Sequence, residues 1–164
     1  MADKDRPDNS LSSPPCFMHE VDPTYLGYLS TAETIELLNT LLEAERAGAK
    51  GVGEMGEAES DIKLRPLLQD VARDEARYCA MLTRHIVRLG GKPNAQTGAF
   101  YDKLRNAPSL ERKLDLLDRG QGWVARKLRE ALSKIDDPML YVDLTEMADT
   151  HDRNIAACKA FAHG

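Results

Sequence analysis

The chain has 164 residues, of which 42% are hydrophobic, 30% charged and only 5% aromatic, with a net charge of -5. That balance describes one globular, mainly helical domain, long enough to bury a core without staples, and it argues against a nucleic-acid partner. The sequence contains no uninterrupted apolar run of about 18 residues, so no membrane-spanning helix is expected.

Residues 1–29 carry Pro7, Pro14, Pro15 and Pro23 among serines and aspartates, with little periodicity. They are expected to form a disordered or loosely packed tail, with no secretory signal. Of the three cysteines, Cys16 falls in this tail, while Cys79 and Cys158 fall in helical patterns as small buried side chains. The expected compartment is the reducing cytoplasm.

Four long helical patterns follow over residues 30–164. The first starts at Ser30-Thr31, with Glu33 placed to complete an N-terminal cap, and runs to the glycines at Gly53 and Gly56. The second starts between Ser60 and Pro66 and stops at Gly90-Gly91. The third starts at Ser109 and breaks at Asp136-Asp137-Pro138, and the fourth runs from Pro138 to about Ala162. Short links make each consecutive pair an antiparallel hairpin. The link between the hairpins, GGKPNAQTGAFYDKLRNAP, holds a helical turn at FYDKLRN. Extended, it reaches about 60 Å, against about 37 Å for a 25-residue helix. It is therefore long enough to cross the whole bundle, which is the connectivity of two hairpins joined by one long crossover. An up-down-up-down bundle with a folded loop is the alternative.

Each helix places one polar, ligand-capable residue at the centre of its apolar stripe. Glu45 lies among Leu38, Leu41, Leu42 and Val52; Glu75 among Leu68, Val71, Leu82 and Ile86. Gln121 lies among Leu110, Leu114, Leu117, Val124 and Leu128; His151 among Leu140, Leu144, Met147 and Cys158. The spacing from the hairpin links puts Glu45 level with Glu75, and Gln121 level with His151. Two facing buried carboxylates repel, and unless one takes a proton a divalent cation relieves the conflict. Two glutamates and a neutral histidine suit iron, manganese or zinc better than calcium or magnesium.

The segments LLEAERAG, RDEARYCAMLTRHI and RGQGWVARKLRE are similar to those of bacterial proteins in the ferritin-like superfamily, on its rubrerythrin-like side. The resemblance spans about residues 31–162 and implies an all-α, ferritin-like four-helix bundle. It also implies six ligand positions for two iron or manganese ions, one Glu on the first and third helices and Glu-x-x-His on the second and fourth. Glu45, Glu75 and His151 match three of them. Tyr78 stands in place of one histidine, and Gln121 and Ala148 in place of two glutamates. The motif is thus degenerate. It implies one iron, manganese or zinc ion on Glu45, Glu75 and His151 rather than a full di-iron centre, with Tyr78, Gln121 and His85 shaping the pocket. Oxygen or peroxide chemistry would then be the activity.

Two alternatives stand beside this reading. The polar residues can close on one another in a metal-free bundle that serves structure or protein interaction, with Arg46, Arg77 or Arg126 neutralising the carboxylates. Tyr78 can be a core tyrosine and His85 a surface one, and the glycines flanking Gln121 can serve helix packing. Asp143, Glu146, Asp149 and Asp152 are expected to face Arg119, Arg126 and Arg129 on the third helix. Trp123 and the apolar tail residues hint at a homodimer. The sequence has no phosphate loop or CxxC motif, and Cys79 has no evident catalytic partner, so nothing in it supports nucleophilic catalysis.

Overall fold

The computed structural model describes residues 21–162, so the first 20 residues of the expected tail, Cys16 among them, lie outside the described residues. After a 3-10 turn at Pro23–Leu26, the chain forms α1 (Thr31–Ala58), α2 (Leu64–Arg88), the short α3 (Phe100–Asn106), α4 (Leu110–Leu132) and α5 (Pro138–Ala162). There is no strand among the described residues.

The helix starts follow the capping chemistry. Ser30 Oγ accepts from the Glu33 amide while the Glu33 carboxylate accepts from the Ser30 amide, a reciprocal cap that satisfies two otherwise orphaned donors. Asp61 Oδ1 accepts from the amides of Lys63 and Leu64 ahead of α2, and Ser109 Oγ from Arg112 ahead of α4. Asp137 accepts from Met139 and Leu140, and Pro138 sits where a missing amide costs nothing. α2 ends where Gly90 turns to φ +81, which lets the Gly91 amide reach back to Ile86 O at 2.8 Å.

Two boundaries differ from expectation. α1 continues through Gly53 and Gly56 to Ala58, because Gly56 is packed on Leu68 and Gln69 and that packing outweighs its low propensity. α4 stops at Leu132, before the Asp-Asp-Pro break, and residues 133–135 close it with tighter turns to Ala131 and Leu132.

α1 packs along α2, and α4 along α5; α2 also contacts α5, and α1 contacts α4. Across the two diagonals no Cα atoms approach within 8 Å. The segment between α2 and α4 lies on α1. Asn39 Nδ2 donates to Lys92 O, Arg46 donates to the carbonyls of Asn94 and Gln96, and Tyr101 OH donates to Glu54. Leu104 fills the space opposite Gly51.

Buried apolar side chains form two clusters. One gathers Leu38, Leu42, Leu82, Leu128, Leu140 and Leu144; the other gathers Val52, Leu64, Leu68, Val71, Leu104 and Leu117. Each fully buried leucine contributes about 1.5–3 kcal/mol. Glu45, Glu75, Gln121 and His151 fall between the clusters in the sequence of every long helix. Leu110, expected on the buried stripe, is 42% exposed in the first turn of α4.

Candidate functional site

The four stripe-centre residues are buried, with only 1–4% of each exposed. They are bonded to one another, but across the diagonals of the bundle rather than within hairpins. His151 Nε2 donates to Glu45 Oε1 at 3.1 Å, joining α5 to α1. Gln121 Nε2 donates to Glu75 Oε1 at 2.5 Å, joining α4 to α2. His151 Nδ1 donates to the Met147 carbonyl one turn earlier at 2.9 Å, which fixes the ring and aims Nε2 at the bundle centre. Glu45 Oε2, Glu75 Oε2 and Gln121 Oε1 are buried without a hydrogen-bond partner.

The electrostatics follow from this crowding. Burial pushes Glu75 well above the ordinary carboxylate range; the charge of Glu45 raises it further, and the Gln121 bond only partly opposes this. For His151, burial disfavours the imidazolium, but the charge and hydrogen bond of Glu45 and the bond to Met147 more than offset it, so its pKa is raised. Both ring nitrogens are engaged, one by the Glu45 carboxyl group and one by the Met147 carbonyl.

Gly48 makes room for this. A Cβ at that position would lie 2.6 Å from Cδ of Glu75 and 2.7 Å from its Oε2. The sequence does carry a signal for it, a glycine one turn after Glu45 in the buried part of α1. Thr150, the Met147 carbonyl and the segment Gly98–Phe100 also belong to the site or its surroundings, and no local pattern marks them.

The remaining residues take up other partners. Tyr78 is buried, its ring centroid 6.0 Å from that of His151; its hydroxyl donates to Thr150 Oγ1 at 2.7 Å and accepts from Arg77 at 2.8 Å. Burial raises its phenol, against the pull of Thr150 and Arg77, so it stays protonated. His85 is buried but apart from the four. Its Nε2 donates to Asp143 at 2.7 Å and its Nδ1 accepts from Arg88 at 2.9 Å. Arg46 is engaged with the link and Arg77 with Glu146, so these two guanidinium groups are turned to other acceptors than Glu45 and Glu75. Of the acidic run on α5, Asp152 pairs with Arg129 on α4 as expected, whereas Asp143 and Glu146 pair with α2, because they lie on the opposite flank of the helix. Burial pushes the Cys79 thiol up to about 12 and the Cys158 thiol to about 11, so both are inert as nucleophiles.

A cavity of about 430 Å³ leads to the site between α1, α4 and the segment that carries Gly98–Lys103. Exposed Thr40, Lys103 and Arg119 rim it, and Glu45, Glu75 and Gln121 line its inner end. Phe100, Leu117, Trp123 and Val124 form apolar walls. Gly120 lets the Phe100 ring sit against α4, since a Cβ there would lie 2.9 Å from the ring. Among the described residues no group of three or more His, Cys, Asp and Glu side chains is arranged to hold a metal ion.

The helical architecture is that of a ferritin-like fold. A solved structure described as that of ferritin-like, diiron-carboxylate proteins from Bacillus anthracis str. Ames superposes with a TM-score of 0.60. Its sequence is 19% identical, and the match covers 81% of this chain and 94% of that one. At that identity the likeness concerns the fold alone. The model of a family described as a domain of unknown function, DUF6306, matches residues 32–160, and the chain belongs to that family. No curated protein matches. Among the described residues no helix is long and apolar enough to cross a membrane.

Proposed function

We propose that residues 30–164 form a ferritin-like bundle of two antiparallel hairpins joined by a crossover, and that it binds one divalent ion through Glu45, Glu75 and His151. Iron, manganese and zinc suit this donor set. The observation that carries the proposal is a pair of buried carboxylates, each with an unpartnered oxygen, beside an imidazole whose Nδ1 is committed to a carbonyl. That carbonyl bond is the usual way a protein orients a metal-binding histidine. The run of contacts from Asn39 to Glu54 along α1 supports the crossover, and the diiron-carboxylate name of the structural neighbour supports the chemistry.

The donors fit a single ion in kind. Glu45 and Glu75 would bring two negative charges and His151 a neutral nitrogen, so an arriving divalent ion displaces any protons these groups hold. The side chains must also move, because His151 Nε2 is bonded to Glu45 in the present arrangement. Tyr78, Gln121 and Ala148 do not complete a second ion's ligands. An ion held here would supply a Lewis-acidic centre with open positions for oxygen or peroxide. Gln121 would hold Glu75 in place, Met147 would orient His151, and the cavity would admit small molecules from the α1–α4 side.

A second reading is favoured by the Glu45–His151 bond: a metal-free bundle whose polar layer serves structure or protein interaction. Elemental analysis of protein purified without chelator, beside Glu75→Ala and His151→Ala, separates the two. About one ion per chain, lost in both variants, supports the metal site. No ion, even after anaerobic reconstitution with iron, manganese or zinc, leaves the metal-free bundle. We also propose a homodimer through Trp123, which keeps 39% exposure beside the cavity; sedimentation of Trp123→Ser against the wild type tests it.

A further inference from the structure

The inner end of the cavity offers unpartnered oxygens, and its side-chain N–H groups are already engaged. Gln121 Nε2 is spent on Glu75, and His151 Nε2 on Glu45. Three oxygens, Glu45 Oε2, Glu75 Oε2 and Gln121 Oε1, have no partner, on side chains more than nine-tenths buried. All three residues line the cavity. Buried acceptors left unpaired are costly, so the end of the cavity favours a ligand head rich in N–H groups. A carboxylate or phosphate head would meet two acidic side chains there and no unspent N–H group. Lys103 and Arg119 stand at the rim, and the walls between are apolar and aromatic.

We propose that this cavity binds a small primary ammonium compound with an apolar body. The head has three N–H donors, matching the three unpartnered oxygens, and its charge suits two glutamates. The body lies against Phe100, Leu117, Trp123 and Val124. A volume of about 430 Å³ is within the range of small-molecule sites and takes a single-ring amine with room to spare. The proposal goes beyond the metal site and does not depend on it, although an ion and an ammonium group would compete for the same carboxylate oxygens.

Trp123 is the chain's single tryptophan and lines the cavity, so its fluorescence reports occupancy. The test titrates protein of known metal content with benzylamine, benzyl alcohol and benzoate, which share one ring and differ in the head. Benzylamine is expected to give a saturable change at a concentration at least about tenfold lower than benzyl alcohol, and benzoate none. Glu75→Gln should weaken benzylamine by about tenfold with the helical circular dichroism unchanged. Gln121→Met, which removes one acceptor, should weaken it by a smaller factor and covers the case in which Glu75→Gln fails to fold. Equal binding of amine and alcohol, tighter binding of benzoate, or no saturable change with benzylamine would overturn the proposal. A protein that carries no metal and still selects benzylamine leaves this inference standing while the metal site falls.

Discussion

Replacing Gly48 with alanine sets two effects of opposite sign against each other. In an ordinary helix interior the change stabilises by about 0.5–1 kcal/mol, because glycine loses more backbone freedom on folding. At position 48 the new carbon would lie within 2.7 Å of every heavy atom of the Glu75 carboxyl group. That group must move, and the 2.5 Å bond from Gln121 must break or follow it. Overpacking costs about 1–3 kcal/mol. Loss of a buried hydrogen bond costs about 1–3 kcal/mol, relieved in part because the cavity beside Gly48 gives the carboxyl somewhere to turn. The net expectation is a loss of about 1–3 kcal/mol, equivalent to about 2–4 °C in Tm for each kcal/mol in a chain of this size. Gly53→Ala is the control on the same helix, where the nearest atom to an added Cβ is Ala72 Cβ at 4.0 Å. It should stabilise by about 0.5–1 kcal/mol. Urea unfolding followed by far-ultraviolet circular dichroism measures both. A Gly48→Ala protein as stable as Gly53→Ala would refute the argument that Gly48 exists to seat Glu75.

Three further outcomes follow from the same layer and its surroundings. In metal-free protein, Glu75 and His151 both hold protons that the unfolded chain releases above about its ordinary values of 4.5 and 6.5. Their contribution is complete below those values and is lost as pH rises through the folded ones, so the stability gap between Glu75→Gln and wild type should widen in the variant's favour from about pH 5 to pH 8 in urea melts; a gap that does not change with pH contradicts this. Tyr78→Phe removes the bonds to Thr150 and Arg77 and should cost about 1–2 kcal/mol, while metal content by elemental analysis stays at the wild-type value; a fall in metal would make Tyr78 a ligand. Arg46→Ala cuts the link from α1, so amide exchange over residues 92–99 should rise by about tenfold or more with α2 and α5 unaffected, and equal protection in the variant would show that the bonds to Asn94 and Gln96 do not hold the link.

What the sequence reveals and what it hides divides by distance along the chain. The helices and their starts are legible because capping and amphipathic spacing are local: Ser30 with Glu33, Ser109 and Asp137 each mark a boundary within four residues. The same periodicity brings out Glu45, Glu75, Gln121 and His151, since each is polar at the centre of an apolar stripe. Which of them bond is not legible, because that depends on how the hairpins are rotated against each other, and the structure pairs Glu45 with His151 and Glu75 with Gln121. The His85–Asp143 pair and the turn of Arg46 toward the link depend on the same nonlocal geometry. The cavity was beyond reach for another reason: its wall at Phe100 depends on the exact path of an irregular segment over α1 and α4.

That path has a consequence for how the protein can change. The charge of the polar layer is set by residues on four long helices, whereas one wall of the cavity beside it is made by residues 98–103, which belong to none of them. A substitution at Ala99 can therefore reshape that wall with Glu45 and Glu75 left in place, whereas Phe100 also packs against Gly120 of α4. The wall and the polar layer lie in separate stretches of the chain, so related sequences can vary one while keeping the other.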